Sequence, residues 1–420
     1  MTLPVFFEAN RVGEVHADAG GVRFVYDAGW AADSRAFPIS VTMPLSEREV
    51  TPERFMTWAA NLLPEADQLA MVGRRLGIAQ NDILGLLEAI GRDTAGALSF
   101  GAPGGTATSG WRPIASGEAL ERILDELPRK PFLAGEEGVS MSLAGVQTKL
   151  AVARDADGRL YIPLDGAPST HILKPDSDRL LGSVQNEAYC LSLARRCGLA
   201  VPQVTTGVAG KRRYFLISRY DRLAAGDSWH RLHQEDFCQV LGKPPAAKYE
   251  GSRSGIAGPT LAGMIAAVRR HALAPDILAM LDAAVFNILA CNTDAHAKNY
   301  SLMLPAGARP SLAPLYDVMC AAPYDQVTRN LAQTIDGKKH GEHLKRRHWL
   351  RFAQSAGLGP SGTLRRIRAL ATAALRHAAA ARADVEAMPA GGHVLLPHVE
   401  QAVAARCRAI LDGLDDREGG

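Results

Sequence analysis

The stretch 286–304 constrains the fold most, because it sets a dense polar segment between two apolar ones. An apolar helical run that includes Val285 and Leu289 leads into the polar residues 292–299, and a strand-like run follows at 301–304. The polar side chains are therefore expected to be held between two buried elements. Asp294 and Asn299 stand five residues apart, which is the D-x-x-x-x-N spacing of a kinase catalytic loop, where the Asp is the base and the Asn holds Mg²⁺.

Two other interpretations fit the same residues. Asp, Asn and His are common turn formers, so an ordinary turn between a helix and a strand is one of them. Asn292, Asp294 and His296 could also suggest a metal site, although no other His/Cys pair at ligand spacing lies nearby. The sequence on either side of residues 292–299 is needed to distinguish these interpretations.

Length and composition predict a soluble globular protein of two or three domains. The 420 residues are 47% hydrophobic, and the net charge of +3 is too small for a dedicated nucleic-acid binder. Six cysteines without a C-x-x-C pair fit a reducing cytoplasm. The start of the chain lacks a signal-peptide pattern, and no apolar run reaches the roughly 18 residues that a membrane span needs. We therefore expect a cytoplasmic protein with no membrane contact.

The first hundred residues predict a small antiparallel sheet followed by short helices. Alternating apolar residues predict strands at 12–15, 22–26 and 39–43, with turns at 10–11 and 20–21.

A helix should then begin at Thr51 and Pro52, with Phe55 and Trp58 on its buried face. Further short helices are expected near 65–76 and 81–90, and the Gly/Ser/Thr-rich segment 101–110 predicts a loop.

The segment 139–152 predicts two strands around a loop of small residues. The backbone amides of such a loop can lie on phosphates, although an ordinary β-hairpin also fits because the segment has one glycine, Gly145. In a phosphate-binding loop, Ser142 would lie close to the γ-phosphate of a bound nucleotide. Ser142 is therefore a candidate for self-phosphorylation.

Lys174 ends an apolar strand, and Glu187 lies on the helix that follows it. In a kinase, a strand lysine grips the α- and β-phosphates and is oriented by a glutamate from the next helix. That helix is predicted at 184–197, with Ser183 as its N-cap and Gly198 just past its end. A solvated strand end is the other interpretation of Lys174.

Two more kinase-like segments follow in order. The apolar strand 214–217 runs into 218–221, where a hinge that contacts adenine would fall. After the loop of Asp294, a hairpin around 305–307 leads to Asp317. In kinases such a hairpin separates the catalytic loop from a second metal-binding Asp, so base, metal-binding Asn and metal-binding Asp occur in the expected order.

The last hundred residues look helical and contain one concentrated basic segment at 338–348. This segment fits a solvated surface, and it also fits contact with DNA phosphates or an acidic partner.

These segments together resemble the HipA family of serine/threonine kinase toxins from bacterial toxin-antitoxin systems. The likeness covers nearly the whole chain, and its most specific strings are Q-E-D at 234–236 and D-x-H-x-K-N at 294–299. The other matching segments lie at 61–64, 91–97, 142–149, 171–174, 186–190 and 315–317.

The resemblance implies an α+β protein with a two-lobed protein-kinase-like fold, an added N-terminal subdomain of small β-sheet and helices, and an all-helical C-terminal lobe. The expected domains are 1–105 for the N-terminal subdomain, 106–225 for the nucleotide-binding region like a kinase N-lobe, and 226–420 for the mainly helical C-lobe with the catalytic loop.

The resemblance also implies the cofactors ATP and Mg²⁺, with Asp294 as the catalytic base and Asn299 and Asp317 as metal ligands. Self-phosphorylation at Ser142 would silence the kinase. Ser218 and Thr148 differ from the acidic residues of the best-known members, so nucleotide affinity and loop regulation are expected to differ. The implied nucleotide contacts are Ala144, Gly145, Val146, Gln147, Thr148, Lys149, Lys174, Ser218, Arg219, Tyr220, His296, Ala297, Lys298, Asn299, Tyr316 and Asp317.

The implied partner is a dimeric helix-turn-helix antitoxin, HipB-like, that binds operator DNA and holds the kinase inactive, so that DNA contact comes mainly through the antitoxin. The implied protein substrate is an aminoacyl-tRNA synthetase, whose phosphorylation would stop translation. Two alternatives stay open. One is a small-molecule kinase of similar fold, as in aminoglycoside phosphotransferases, and the other is a catalytically weak corepressor that acts with a DNA-binding antitoxin.

Overall fold

The computed structural model describes residues 1–19, 21–252 and 254–416. Its N-terminal part is a five-stranded antiparallel sheet in the order β4-β3-β2-β1-β5, with four helices beside it. The strands are β1 (Thr2–Phe7), β2 (Asn10–Asp18), β3 (Gly21–Tyr26), β4 (Glu49–Val50) and β5 (Leu98–Phe100). The helices are α1 (Ala28–Ala32), α2 (Pro52–Ala60), α3 (Ala66–Leu76) and α4 (Ile83–Ile90).

The helix predicted to start at Thr51 is confirmed, with Thr51 as N-cap and Pro52 in the first turn. The strand predicted at 39–43 is wrong. Only an isolated bridge joins Ser40 to Met43, because the Tyr26 hydroxyl takes the place of a partner strand. It accepts a hydrogen bond from the Ile39 N–H at 2.9 Å and donates one to the Met43 carbonyl at 2.6 Å.

The first predicted turn is also misplaced. The chain turns at residues 8–9, where Glu8 adopts a positive φ of 52°, and β2 already begins at Asn10. The second predicted turn includes Gly20, which lies outside the described residues.

A second antiparallel sheet of six strands forms the next layer, in the order β10-β11-β9-β7-β8-β6. It shares one hydrophobic core with the N-terminal sheet, since Leu150, Leu173 and Leu216 belong to the same buried cluster as Phe24 and Phe55. The strands are β6 (Trp111–Pro113), β7 (Leu150–Arg154), β8 (Leu160–Pro163), β9 (His171–Pro175), β10 (Val204–Ala209) and β11 (Arg212–Ser218), and the helices are α5 (Gly117–Glu126) and α6 (Ser183–Arg196).

Two expectations about this region are wrong. The run at 139–142 is not a strand, because it docks on the N-terminal region instead, and the Ser142 N–H donates to the Asp93 carbonyl at 3.0 Å. Helix α6 has Gly182 as its N-cap rather than Ser183. The Ser183 hydroxyl donates to Asp176 at 2.8 Å and accepts from the Ser177 N–H at 3.0 Å, so its oxygen is engaged outside the helix.

The remaining lobe is mainly helical, and it also carries three small sheets, β12-β13, β14-β15-β16 and β17-β18. Helix α9 lies in a second hydrophobic core with α6, α8 and α10 to α12. The strands are β12 (Arg222–Ala225), β13 (Ser228–Arg231), β14 (Gln234–Asp236), β15 (Ser301–Met303), β16 (Ser311–Leu312), β17 (Asn330–Ile335) and β18 (Lys338–His340). The helices are α7 (Phe237–Val240), α8 (Leu261–His271), α9 (Ala274–Leu289), α10 (Arg346–Ser355), α11 (Pro360–Glu386) and α12 (Leu396–Asp415).

The basic segment 338–348 forms β18, a short 3₁₀ turn and the start of α10. No helix in the described part of the chain combines the length and the apolar character that crossing a membrane requires.

A buried ionic cluster ties the N-terminal part to the strands that follow β11. Asp93 pairs with Arg222 at 2.7 Å and lies 3.5 Å from Arg219 and from Arg231, and all four side chains are at most 2% exposed. Burial alone would raise the pKa of Asp93, but the guanidinium groups lower it well below the usual value. The carboxylate is therefore charged, and it is the counter-ion for several buried cations.

Asp93→Ala should destabilise the protein by about 3–5 kcal/mol, because it removes one of the two buried carboxylates, Asp93 and Asp221, that balance these guanidinium groups. The measurement is the free energy of unfolding by chemical denaturation. The matched control is Asp157→Ala, since Asp157 pairs with Arg159 at 3.2 Å on the surface, where both side chains are about 70% exposed. Equal stability of the two variants would contradict a structural role for this cluster.

Candidate active site

One large cleft, of about 1510 Å³, brings the predicted site residues together. It lies between the six-stranded sheet and the mainly helical lobe, and residues of both contribute to its walls. Every predicted site residue lines it except Ala297 and Ser142. Ala297 lies behind the cleft wall, with its N–H bound to the Lys248 carbonyl at 3.1 Å.

Lys174 is the centre of a three-residue charge cluster that we call the lysine triad: Lys174, Glu187 and Asp317. The amino group of Lys174, on β9, lies 2.7 Å from the Glu187 carboxylate on α6 and 2.6 Å from Asp317. Burial and the Asp317 charge raise the pKa of Glu187 to about 7, although the Lys174 charge opposes them. The two carboxylates more than offset the effect of burial on Lys174 and raise its pKa, so the amino group is charged.

Asp317 also keeps its charge, because neighbouring groups of opposite charge outweigh the effect of its burial. Its burial would raise its pKa, but the amino groups of Lys174 and Lys149 lower the pKa well below the usual value. Lys174 is therefore fixed between a glutamate and an aspartate at the meeting point of the two lobes.

The loop after α9 places Asp294 and Asn299 on the opposite side of the cleft. Cys291 leaves the helix with a positive φ of 56°, and the Asn292 side chain accepts a hydrogen bond from the Asp294 N–H at 3.0 Å. The Asn299 amide nitrogen donates to the Asp294 carbonyl at 2.8 Å. The predicted base and the predicted metal ligand are thus held in one small turn, with the Asp294 carboxylate exposed to the cleft.

The protein atoms around the Asp294 carboxylate remove part of its hydration, and this desolvation raises its pKa. The nearby Asp317 charge raises it as well, although a hydrogen bond from Tyr249 opposes the shift. A raised pKa brings a carboxylate nearer to the value at which it can accept a proton effectively at neutral pH.

Two predicted nucleotide contacts have their charged groups bound elsewhere. Lys298 donates to Asp236 at 2.6 Å and to the Asn61 side chain at 2.9 Å, and it is 3% exposed. The Arg219 guanidinium bonds Asp221, with 2.7 Å between the closest atoms, and Ser169 at 2.9 Å. In this structure both side chains link neighbouring parts of the cleft wall to each other.

The loop 144–149 closes one end of the cleft. Gly145 has a φ of 106°, a conformation that side chains disfavour, and the Lys149 amino group donates to the Ala144 carbonyl. Burial lowers the pKa of Lys149 to about 8. The loop is also tied to α3, because the Gln68 side chain donates to the Val146 carbonyl at 2.8 Å.

Ser142 lies beneath this loop rather than in the cleft. It is fully buried, and its hydroxyl donates to the Leu62 carbonyl at 2.7 Å.

Sequence reasoning missed two residues that line the cleft, Tyr249 and Glu65, and a third beside them, Lys248. The Tyr249 hydroxyl donates to the Asp294 carboxylate, and Lys248 pairs with Glu65 at 2.6 Å. No local signal marks these residues, because Lys248 and Tyr249 lie in an irregular loop and Glu65 comes from the N-terminal part.

The donor set fits a hard cation bound together with phosphate. Among the described residues, no group of three or more His, Cys, Asp or Glu side chains could hold a metal ion by itself. The amide nitrogen of Asn299 is bound to the Asp294 carbonyl, so the atom of this side chain that could take a cation is its oxygen. One amide oxygen and the Asp317 carboxylate suit Mg²⁺, which usually takes its other ligands from water and phosphate.

The family comparisons agree with this geometry. Residues 3–101 match the HipA N-terminal domain, and residues 141–381 match the HipA-like C-terminal domain. The chain belongs to the HipA family. This HipA-family chain is 35% identical over 381 residues to a putative kinase of Sinorhizobium fredii, covering 87% of this chain and 88% of that one. It is 32% identical over 353 residues to the serine/threonine-protein kinase toxin HipA of Shewanella oneidensis, covering 80% and 79%.

A solved structure confirms the fold. HipA of Shewanella oneidensis, in a complex with HipB and its operator DNA, superposes with a TM-score of 0.82 over 99% of this HipA-family chain and 98% of that chain, at 27% identity. The predicted α+β, two-lobed kinase-like fold with an added N-terminal region is therefore confirmed.

Lys298→Met should lower the free energy of unfolding by about 3–5 kcal/mol, because it removes one partner of a buried ion pair and leaves Asp236 uncompensated. The matched control is Lys345→Met, whose amino group pairs with Asp416 at 2.7 Å on the surface and should change stability little. If Lys298→Met kept full stability and lost only nucleotide binding, Lys298 would be a phosphate contact and not a structural residue.

Proposed function

We propose that this chain is an ATP- and Mg²⁺-dependent protein serine/threonine kinase that acts as the toxin of a toxin-antitoxin pair. The observation that carries the proposal is the convergence of the lysine triad, Asp294 and Asn299 on one cleft. These groups match, in type and in order along the chain, the parts that phosphoryl transfer requires. The relatives named as kinases support the same reaction.

Each group has a role in this reaction. Asp294 accepts the proton of the acceptor hydroxyl, and Lys174 binds the α- and β-phosphates of ATP in the orientation that Glu187 sets. Asn299 and Asp317 are the residues that would hold Mg²⁺. When bound there, Mg²⁺ would supply positive charge that offsets the charge of the phosphates.

The Lys174 ammonium has three N–H donors, and two of them bind Glu187 at 2.7 Å and Asp317 at 2.6 Å. The third donor is left for a phosphate oxygen of the nucleotide. The positive charge of Lys149, next to the small-residue loop, adds to the attraction for phosphate.

The proposed partner is a dimeric helix-turn-helix antitoxin that carries the operator contacts. The support is that the HipA structure of Shewanella oneidensis contains HipB and operator DNA and resembles this chain over nearly its whole length. The proposed substrate is an aminoacyl-tRNA synthetase.

Self-phosphorylation at Ser142 is part of the proposal. Because the Ser142 hydroxyl is buried against Leu62, the segment that carries it must leave its position before phosphate can reach it. The phosphorylated serine could not return to that position, since burying the added charge would be costly.

Asp294→Asn should lower phosphate transfer about 10²- to 10⁴-fold, because it removes the base and preserves the shape of the side chain. The measurement is transfer from γ-labelled ATP to protein in a cell extract, with Ser142 and the synthetases identified by mass spectrometry. Asp165→Asn is the matched control, since Asp165 is an exposed aspartate outside the cleft. Undiminished transfer by Asp294→Asn, or label found only in small solutes, would refute the proposed protein kinase.

A further inference from the structure

Tyr249 is the side chain that contacts the proposed base. Its hydroxyl donates a hydrogen bond to one carboxylate oxygen of Asp294. Burial and the Asp294 charge raise the pKa of Tyr249 above its usual value, so the phenol keeps its proton and stays the donor.

The backbone of Asp294 is fixed by other groups. Its N–H donates to Asn292 at 3.0 Å, and its carbonyl accepts from His296 at 2.7 Å and from Asn299 at 2.8 Å. Across residues 1–19, 21–252 and 254–416, however, Tyr249 is the sole hydrogen-bond partner of the carboxylate itself. The terminal torsion of an Asp side chain has broad minima, so the direction of the two oxygens depends on this contact.

Tyr249 is held firmly enough to set that direction. The residue before it, Lys248, pairs with Glu65 at 2.6 Å, and its carbonyl accepts from Ala297 in the catalytic loop at 3.1 Å. The residue after it, Glu250, accepts from the Thr334 hydroxyl at 3.0 Å. Both neighbours of Tyr249 are thus anchored.

The Tyr249 ring is also packed from two sides. It meets the His296 ring edge to face, with centroids 5.2 Å apart, and the Lys248 amino group lies 5.6 Å from its centroid. These contacts involve the ring alone and do not need the hydroxyl. Within the described part of the chain, the Tyr249 hydroxyl has one hydrogen-bond partner, the Asp294 carboxylate.

We propose that Tyr249 is a positioning residue for phosphoryl transfer. It binds one oxygen of Asp294, so that the other oxygen faces the cleft, where the hydroxyl of the acceptor donates its hydrogen bond. This inference deepens the proposed kinase function and rests on it. Tyr249 itself takes no part in the transfer, because the acceptor proton passes to Asp294.

A blocking role for Tyr249 makes a different prediction. If the Tyr249 hydroxyl occupied the place of the acceptor hydroxyl, it would block Asp294, and its removal would speed phosphate transfer. The firm anchoring on both sides favours positioning, since a blocking group has to leave the site in every catalytic cycle.

The test is steady-state phosphate transfer from γ-labelled ATP by the full chain, with the chain itself and dephosphorylated casein as acceptors. Tyr249→Phe keeps the ring contacts and removes the hydroxyl alone. We expect kcat to fall about 10- to 100-fold, as misorientation of a catalytic group does, while KM for ATP and the melting temperature stay unchanged.

Tyr161→Phe is the matched control. It removes a tyrosine hydroxyl that donates to Asp155 at 2.7 Å outside the cleft, and it should leave kcat unchanged. An unchanged kcat in Tyr249→Phe, a faster one, or a loss confined to KM for ATP would overturn the positioning role. Wild-type protein that labels neither acceptor would instead refute the proposed kinase, and the role of Tyr249 with it.

Discussion

The architecture of the cleft depends on one buried amino group, that of Lys174. It lies on the six-stranded sheet, is bound by Glu187 from α6, and reaches Asp317 in the other lobe. Burying an amino group and a carboxylate is costly unless each has a partner. The lysine triad meets that requirement, and by doing so it fixes the relative positions of a strand, a helix and the segment that follows the β15-β16 hairpin.

The N-terminal part, from its sheet to Asp93, also contributes directly to the cleft. Residues 61–65 bond three segments around it: Asn61 bonds Lys298 of the catalytic loop, Leu62 accepts from Ser142, and Glu65 pairs with Lys248. The Asp93 cluster fixes this part to the strands beyond β11. The shared hydrophobic core makes the N-terminal sheet a structural support for the six-stranded sheet. Changes in the N-terminal part should therefore reach the catalytic loop through these contacts.

The sequence predicted the parts of the site whose signal is local. The polar segment between α9 and β15 located Asp294 and Asn299, and the order of strand and helix located Lys174 and Glu187. The predictions failed where a side chain outside the segment itself decided the structure. Tyr26 satisfies the backbone at 39–43, and Asp176 binds Ser183, which was expected to cap α6. Tyr249 was missed for the same reason, because its partner, Asp294, is distant in sequence.

The affinity of Glu187→Gln for ATP with Mg²⁺, measured by isothermal titration calorimetry, tests the central role of the lysine triad most directly. Glu187 holds Lys174, and Gln keeps the shape of the side chain while removing the charge. The account predicts binding at least about tenfold weaker than in the wild type, a loss of about 1.4 kcal/mol or more, because Lys174 is no longer held for the phosphates. Wild-type affinity in a folded Glu187→Gln variant would contradict it.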